Sequence, residues 1–147
     1  ETLQLLRLQI EKQGIAVEKD LHPLPPVVFD REQLKQVVLN LLMNAVQAMP
    51  SGGRLRLSAR ESEPERWIQM GIQDSGTGIP AEDMARLFDP FFSTREGGIG
   101  LGLPIAHRIM DVHHGRIEVA STPGEGTLFT LHLPVDQKEN DANHPDR

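Results

Sequence analysis

Gln36, Asn40, Asn44 and Gln47 stand at i, i+4, i+8 and i+11 of one apolar-periodic stretch, so on a helix they share a face. Asparagine is a poor interior helix residue, because its side chain competes for backbone hydrogen bonds. A line of amides without a charge is either a solvated face of unusual composition or a row of ligands. Neutral amide oxygens on a rigid helix suit Mg²⁺, a hard cation that takes few protein groups and keeps its waters or phosphates.

"IQDSGTGIP" (72–80) offers a second group. An alternating strand ends on Asp74, and Gly76 and Gly78 follow. An ordinary turn accounts for this. So does a carboxylate fixed at a strand end, ready to accept from an exocyclic amine, with Gly78 letting a flat ligand approach the backbone. The third group is "REGGIGLGLPIAH" (95–107), with Gly97, Gly98, Gly100 and Gly102 close together. It has no GxxxxGK[ST] phosphate loop and does not follow a strand, as a dinucleotide fingerprint must. The glycines alone leave a phosphate cradle, a hinge and a plain loop all open.

Periodicity predicts the elements that must position these groups. Leu3, Leu6 and Ile10 give a helix over 1–13, which Gly14 stops. "IAVEKDL" alternates as a strand, and "HPLPPV" is a stiff connector. Asp30 is the N-cap of a helix over 31–49, with Glu32 at the positive end of its dipole. Its core stripe is Leu34, Val37, Val38, Leu41, Leu42, Ala45, Ala48 and Met49. "RLRLSARES" (54–62) and "RWIQMGIQD" (66–74) form a hairpin. A short helix near 81–86 precedes the glycine-rich loop. A helix over about 102–113 ends at Gly115 as C-cap. "RIEVAST" and "TLFTLHLPV" are two further strands linked by "PGEG". The order α-β-α-β-β-α-α-β-β predicts an α+β fold: a two-layer α/β sandwich, with a mixed five-stranded sheet and three main helices on one face.

The 147 residues suit one domain, and 38% hydrophobic with 24% charged residues is a globular balance. A net charge of −6 argues against nucleic acid as a partner. The absence of cysteine excludes disulfides and fits a reducing, cytoplasmic compartment. No apolar run approaches the ~20 residues of a membrane span, and no signal-peptide pattern is present. The start on Glu1, inside a helical pattern, reads as part of a longer protein, which could itself be membrane-anchored.

In order along the chain, these stretches resemble the ATP-binding catalytic domain of sensor histidine kinases, in the GHKL or Bergerat-fold superfamily. "QLKQVVLNLLMNAVQA" is similar to the N box, and "DSGTGIP" to the first glycine box. "LFDPFFSTR" is similar to the F box, "GGIGLGLPIAHRI" to the second glycine box, and "GEGTLFTLHLP" to the last. The "PFFSTR…GLGL" variant is most like kinases of the nitrogen-regulatory NtrB type. The resemblance implies that residues 1–13 end a dimerisation helix or linker. Residues 14–135 would be the catalytic ATP-binding domain, and 136–147 a disordered polar tail.

The resemblance also implies roles. ATP and Mg²⁺ are the ligands. Asn44 holds the metal, with Asn40 one turn earlier near metal or phosphates. Asp74 reads the adenine amine beside Gly76 and Gly78, and Thr127 supports the base through a water. Gly98, Gly100, Leu101 and Gly102 form the phosphate-facing end of a lid over roughly 83–101, closing on a helix N-terminus. Gly97 and Gly98 give the lid mobility, and Pro104 fits the first turn of that helix. Arg95 meets the γ-phosphate. Phe88, Phe91 and Phe92 are either lid anchors or plain core.

Two departures stand out. Gln47 occupies a position where many relatives carry Lys, and Asn40 one where hydrolytic relatives carry Glu. An amide cannot act as a base on water, which favours phosphotransfer over hydrolysis. No acceptor His is visible: His22 lies in "LHPLPP", and His113, His114 and His132 read as surface or C-cap residues. His107, Asp111 and His114 share a helix face that mimics a metal site without further ligands. The acceptor His would therefore sit on a separate dimerisation domain of a homodimeric protein, and the phosphate would pass on to an Asp of a response regulator. A hydrolytic ATPase of the superfamily, a non-catalytic nucleotide-binding module and a serine kinase of the anti-sigma type are the rival readings.

Overall fold

The computed structural model describes residues 2–62, 66–92 and 102–135. The elements are α1 (Thr2–Gln13), β1 (Ile15–Leu21), α2 (Arg31–Gln47), β2 (Gly53–Ser62) and β3 (Trp67–Asp74). A short 3-10 turn (Ala81–Arg86), α3 (Gly102–Val112), β4 (Arg116–Thr122) and β5 (Gly126–Pro134) follow. Their order is the one the hydrophobic periods predict.

Among the described residues the strands form one mixed sheet in the order β1-β2-β3-β5-β4. The β1–β2 pair is parallel, because α2 crosses over between the two strands; the other pairs are antiparallel. The core lies between this sheet and the helices. α2 supplies Val37, Leu41, Leu42, Ala45 and Val46; α1 adds Leu6 and Ile10, and α3 adds Ala106 and Met110. They meet Leu55, Ile68, Ile72, Phe129, Leu131 and Leu133 of the sheet. Leu34 and Val38, expected in the stripe, are only partly buried, while Val46 is fully buried. No helix is long and apolar enough to cross a membrane, among the described residues.

Hydrogen bonds at its two ends hold α2 in place. The Asp30 side chain accepts from the Gln33 amide at 3.0 Å, as an N-cap should. At the other end Gln13 Nε2 donates to the carbonyls of Val46 and Met49, at 3.0 and 2.9 Å. The end of α1 therefore caps the end of α2, and it does so from residues expected to belong to a separate linker.

Three histidine and glycine expectations change. The left-handed residue after α3 is His114, with φ 62°, not Gly115. Gly115 donates its N–H to the Met110 carbonyl at 2.8 Å. It lacks a side chain because a Cβ would press on the His132 carbonyl oxygen. His132 is not a surface residue: it is 5% exposed. The reason is that β5 is an interior strand, with Gln69 and Arg116 opposite His132 on its two sides. Its Nε2 lies 3.3 Å from Glu118 Oε2. His113 is half-buried. It stacks on Phe29 with ring centroids 3.7 Å apart. Its Nε2 accepts from the Asp30 amide at 3.3 Å, and Nδ1 lies 2.8 Å from the Ile109 carbonyl. The end of α3 is thus pinned to the cap of α2. The expected tail, 136–147, lies outside the described residues.

Candidate functional site

Asp74 is the last residue of β3, and β3 is paired on both sides, so the carboxylate sits at the end of an interior strand. Thr127 stands opposite it on β5. Directly opposed residues of an antiparallel pair share a face. Asp74 is 6% exposed and Thr127 5%. One carboxylate oxygen, Oδ1, accepts from the Gly76 amide at 2.9 Å.

The loop after Asp74 is tied down at each step. Ser75 N–H donates to the Arg54 carbonyl, and Thr77 N–H to the Ala48 carbonyl just beyond α2, both at 3.2 Å. Ile79 N–H donates to Ser121 Oγ at 2.8 Å. The Thr77 carbonyl accepts from Gly124 N–H at 2.8 Å. These contacts are enough to require both glycines. A Cβ on Gly76 would overlap the Ala48 carbonyl. Gly78 has φ 73°, and a Cβ there would overlap the Thr122 carbonyl. The expected role of Gly78, making room for a flat ligand, is therefore not needed to account for its identity.

Ser121 is the side chain that sequence reasoning missed. Its Oγ lies 2.8 Å from Thr127 Oγ1 and 3.0 Å from the Gly126 carbonyl, besides accepting from Ile79. It faces Thr127 across the β4–β5 pair. The available signal was register: Ser121 and Thr127 flank the tight "TPGEG" turn at equal distance in the hairpin.

The amide row lies on α2 as expected. Asn40 and Asn44 are half-buried, and Gln36 and Gln47 are exposed. Asn40 is bonded at both ends of its amide. Oδ1 accepts from Gln36 Nε2 at 2.8 Å, and Nδ2 donates to the Gly102 carbonyl at 3.0 Å. It therefore ties α2 to the first turn of α3. Asn44 sits one turn further along the same face. Gly102 is helical and not left-handed; among the described residues a Cβ there would meet Asn40 Cβ and Cγ, both at 3.9 Å. Arg95, Gly97, Gly98, Gly100 and Leu101 lie outside the described residues.

The phenylalanines divide. Phe88 tilts against His107 at 4.9 Å between centroids, and Arg86 lies over the Phe92 ring at 4.3 Å. Phe91 is 75% exposed with φ 65°, so it is not core.

The described parts thus place a buried carboxylate and a hydroxyl at one strand end, beside the end of a helix whose partly exposed flank carries neutral amides. Acceptors at a buried strand end suit an exocyclic amine. Amide oxygens beside a helix N-terminus suit a hydrated hard cation and an anion together.

Comparison with known proteins places the chain in a family. The family described as histidine kinase-, DNA gyrase B-, and HSP90-like ATPase matches residues 29–137. The chain is 46% identical over 118 residues to the signal transduction histidine-protein kinase AtoS of Escherichia coli strain K12, covering 80% of this chain and 19% of AtoS. The chain thus spans about a fifth of the length of that relative. The catalytic domain of histidine kinase ThkA, in a nucleotide-free form, superposes with a TM-score of 0.80 at 31% identity, over 91% of this chain and 88% of that one. Full-length ShkA in complex with AMPPNP superposes with a TM-score of 0.81 at 28% identity, over 90% of this chain and 28% of that one.

Proposed function

The chain belongs to the histidine kinase-, DNA gyrase B- and HSP90-like ATPase family, and from that premise we propose that it is the ATP-binding catalytic domain of a two-component sensor histidine kinase. The observation that carries the reading is the pairing of buried Asp74 with Thr127 at the end of the β3–β5 pair. It gives an adenine N6 amine an acceptor that water cannot easily reach. Gly76 helps by fixing one carboxylate oxygen. Thr127 supports the base from the opposite strand.

The phosphates then run toward the amide flank of α2 and the start of α3. Gly98, Gly100, Leu101 and Gly102 give them backbone approach, and Arg95 adds a cation. The half-buried Asn44 amide suits Mg²⁺, whose contribution when bound is to neutralise phosphate charge. Asn40 braces the first turn of α3 against α2, so it orients the helix that receives the phosphates. We include it in the catalytic set in that positioning sense.

The reaction is transfer of the γ-phosphoryl group to a histidine on a separate dimerisation and phosphoacceptor domain of the same, homodimeric protein. The imidazole nitrogen attacks phosphorus, the bond to the β–γ bridging oxygen breaks, and ADP leaves; the imidazole gives up its proton to solvent. Such transfers depend mainly on positioning and charge stabilisation. The phosphoryl group moves on to an aspartate of a response regulator. Asn40, both ends of its amide already hydrogen-bonded, offers no base to activate water, which disfavours hydrolysis. Residues 14–135 form the catalytic unit, with α1 as its connection to the dimerisation domain and 136–147 as a tail. The test combines calorimetry with a phosphate-release assay. Saturable binding of Mg-ATP with very slow release is expected; absence of ATP binding, or brisk release by the chain alone, refutes the reading.

A further inference from the structure

We propose that Ser121 is a positioning residue that sets the base preference of the site by fixing the polarity of the Thr127 hydroxyl; the inference rests on the nucleotide reading above. A hydroxyl has one hydrogen to donate and two lone pairs to accept with. Ser121 Oγ has three neighbours: the Ile79 amide, the Gly126 carbonyl and Thr127 Oγ1. The amide can only donate and the carbonyl can only accept. The one hydrogen of Ser121 therefore goes to Gly126. The remaining 2.8 Å contact is satisfied only if Thr127 donates to Ser121.

The consequence reaches the ligand. With its hydrogen held by Ser121, Thr127 has only lone pairs to offer. Opposite it in register, Asp74 also offers acceptor oxygens. The end of the β3–β5 pair is then an acceptor-only edge. It suits a purine with an amine at C6 and opposes one with a carbonyl there. Both side chains are buried, so a mismatch is not relieved by bulk water. The same bonds anchor the loop, since the Ile79 amide ends on Ser121 and Ile79 is 6% exposed. One serine thus joins the loop after β3, the β4–β5 hairpin and the hydroxyl that faces the base.

Ser121→Ala releases the Thr127 hydrogen. The hydroxyl can then turn and donate toward a 6-oxo group, directly or through a water. The experiment measures the affinities of Mg-ATP and Mg-ITP, which differ at this edge, by calorimetry on the parent chain, S121A, S121T, T127V and the S121A/T127V double variant. The parent prefers ATP. S121A narrows that preference by about tenfold or more, because a site built around one hydrogen-bond pattern loses its means of rejection. S121T, which keeps the hydroxyl, retains the parent ratio. T127V narrows it as well, and the double variant narrows it no further than either single change, as coupled residues should.

A purely structural Ser121 lowers both affinities in parallel and leaves the ratio unchanged, and that result overturns the proposal. If S121A does not fold, an unchanged ratio in T127V overturns it equally. A parent chain that binds neither nucleotide refutes the nucleotide reading itself. A parent that prefers ATP, with S121A keeping that preference in full, refutes only the role of Ser121.

Discussion

Asp74 and Thr127 face each other at the end of the β3–β5 pair, both almost fully buried, with the 75–80 loop folded between α2 and the β4–β5 hairpin. The two residues come from strands far apart in sequence, so only the completed sheet brings them together. The sheet register fixes both side chains, so the contribution of each can be tested one side chain at a time.

Asp74→Asn replaces an acceptor oxygen with a donor. If Asp74 receives the adenine amine, ATP affinity should fall by about 1–3 kcal/mol, the usual cost of a mismatched buried polar group. Calorimetry on parent and variant measures it. Equal affinity of the parent for ATP and GTP would remove Asp74 from this role.

Asn44→Ala removes the proposed Mg²⁺ ligand from a half-buried helix flank. Ligand stabilisation follows mass action. The rise in melting temperature that Mg-ATP produces, measured for each protein from its own unliganded melt, should therefore largely vanish in the variant. A variant stabilised as strongly as the parent shows Asn44 to be only a helix-face amide.

Two glycine changes should have opposite signs. Gly78→Ala forces a side chain into left-handed backbone and onto the Thr122 carbonyl. It should cost roughly 1–3 kcal/mol or more of stability. Gly102→Ala enters a helix where, among the described residues, the new methyl has space, and should be neutral or stabilising by up to about 1 kcal/mol. Denaturant melts of both variants decide. A destabilised Gly102→Ala would show that the position demands glycine in the folded chain.

Gln13→Ala leaves the carbonyls of Val46 and Met49 without the side-chain donor from α1. Two lost hydrogen bonds should lower stability by about 1–3 kcal/mol. If the melt does not move, the two Gln13 hydrogen bonds have no energetic weight, and α1 is held by Leu6 and Ile10.

The order of elements was legible because each helix and strand keeps a clean hydrophobic period. The Asp30 cap and the amide row followed from local spacing, and the glycine boxes followed from their resemblance to a known family. What escaped depends on long-range pairing. Ser121 gains its meaning from Ile79 and Thr127, which only the sheet register brings to it. His132 looked like a surface residue until β5 proved to be an interior strand. Asn40 is expected near metal or phosphates from its place in the amide row; its bonds to Gln36 and to the Gly102 carbonyl depend on where α3 packs, which local spacing does not show. The demand for glycine at 78 also comes from a long-range contact, the Thr122 carbonyl of the neighbouring hairpin.

The central claim is that this chain delivers a phosphoryl group to a histidine it does not itself present. The most direct measurement incubates γ-labelled ATP with this chain alone, with a helical segment carrying the kinase's phosphoacceptor histidine alone, and with the two together. The account predicts acid-labile label on the acceptor segment in the mixture only. Labelling should be slow, because the two parts are untethered and effective concentration is low. Label on this chain by itself, or rapid release of free phosphate without the acceptor, would contradict it.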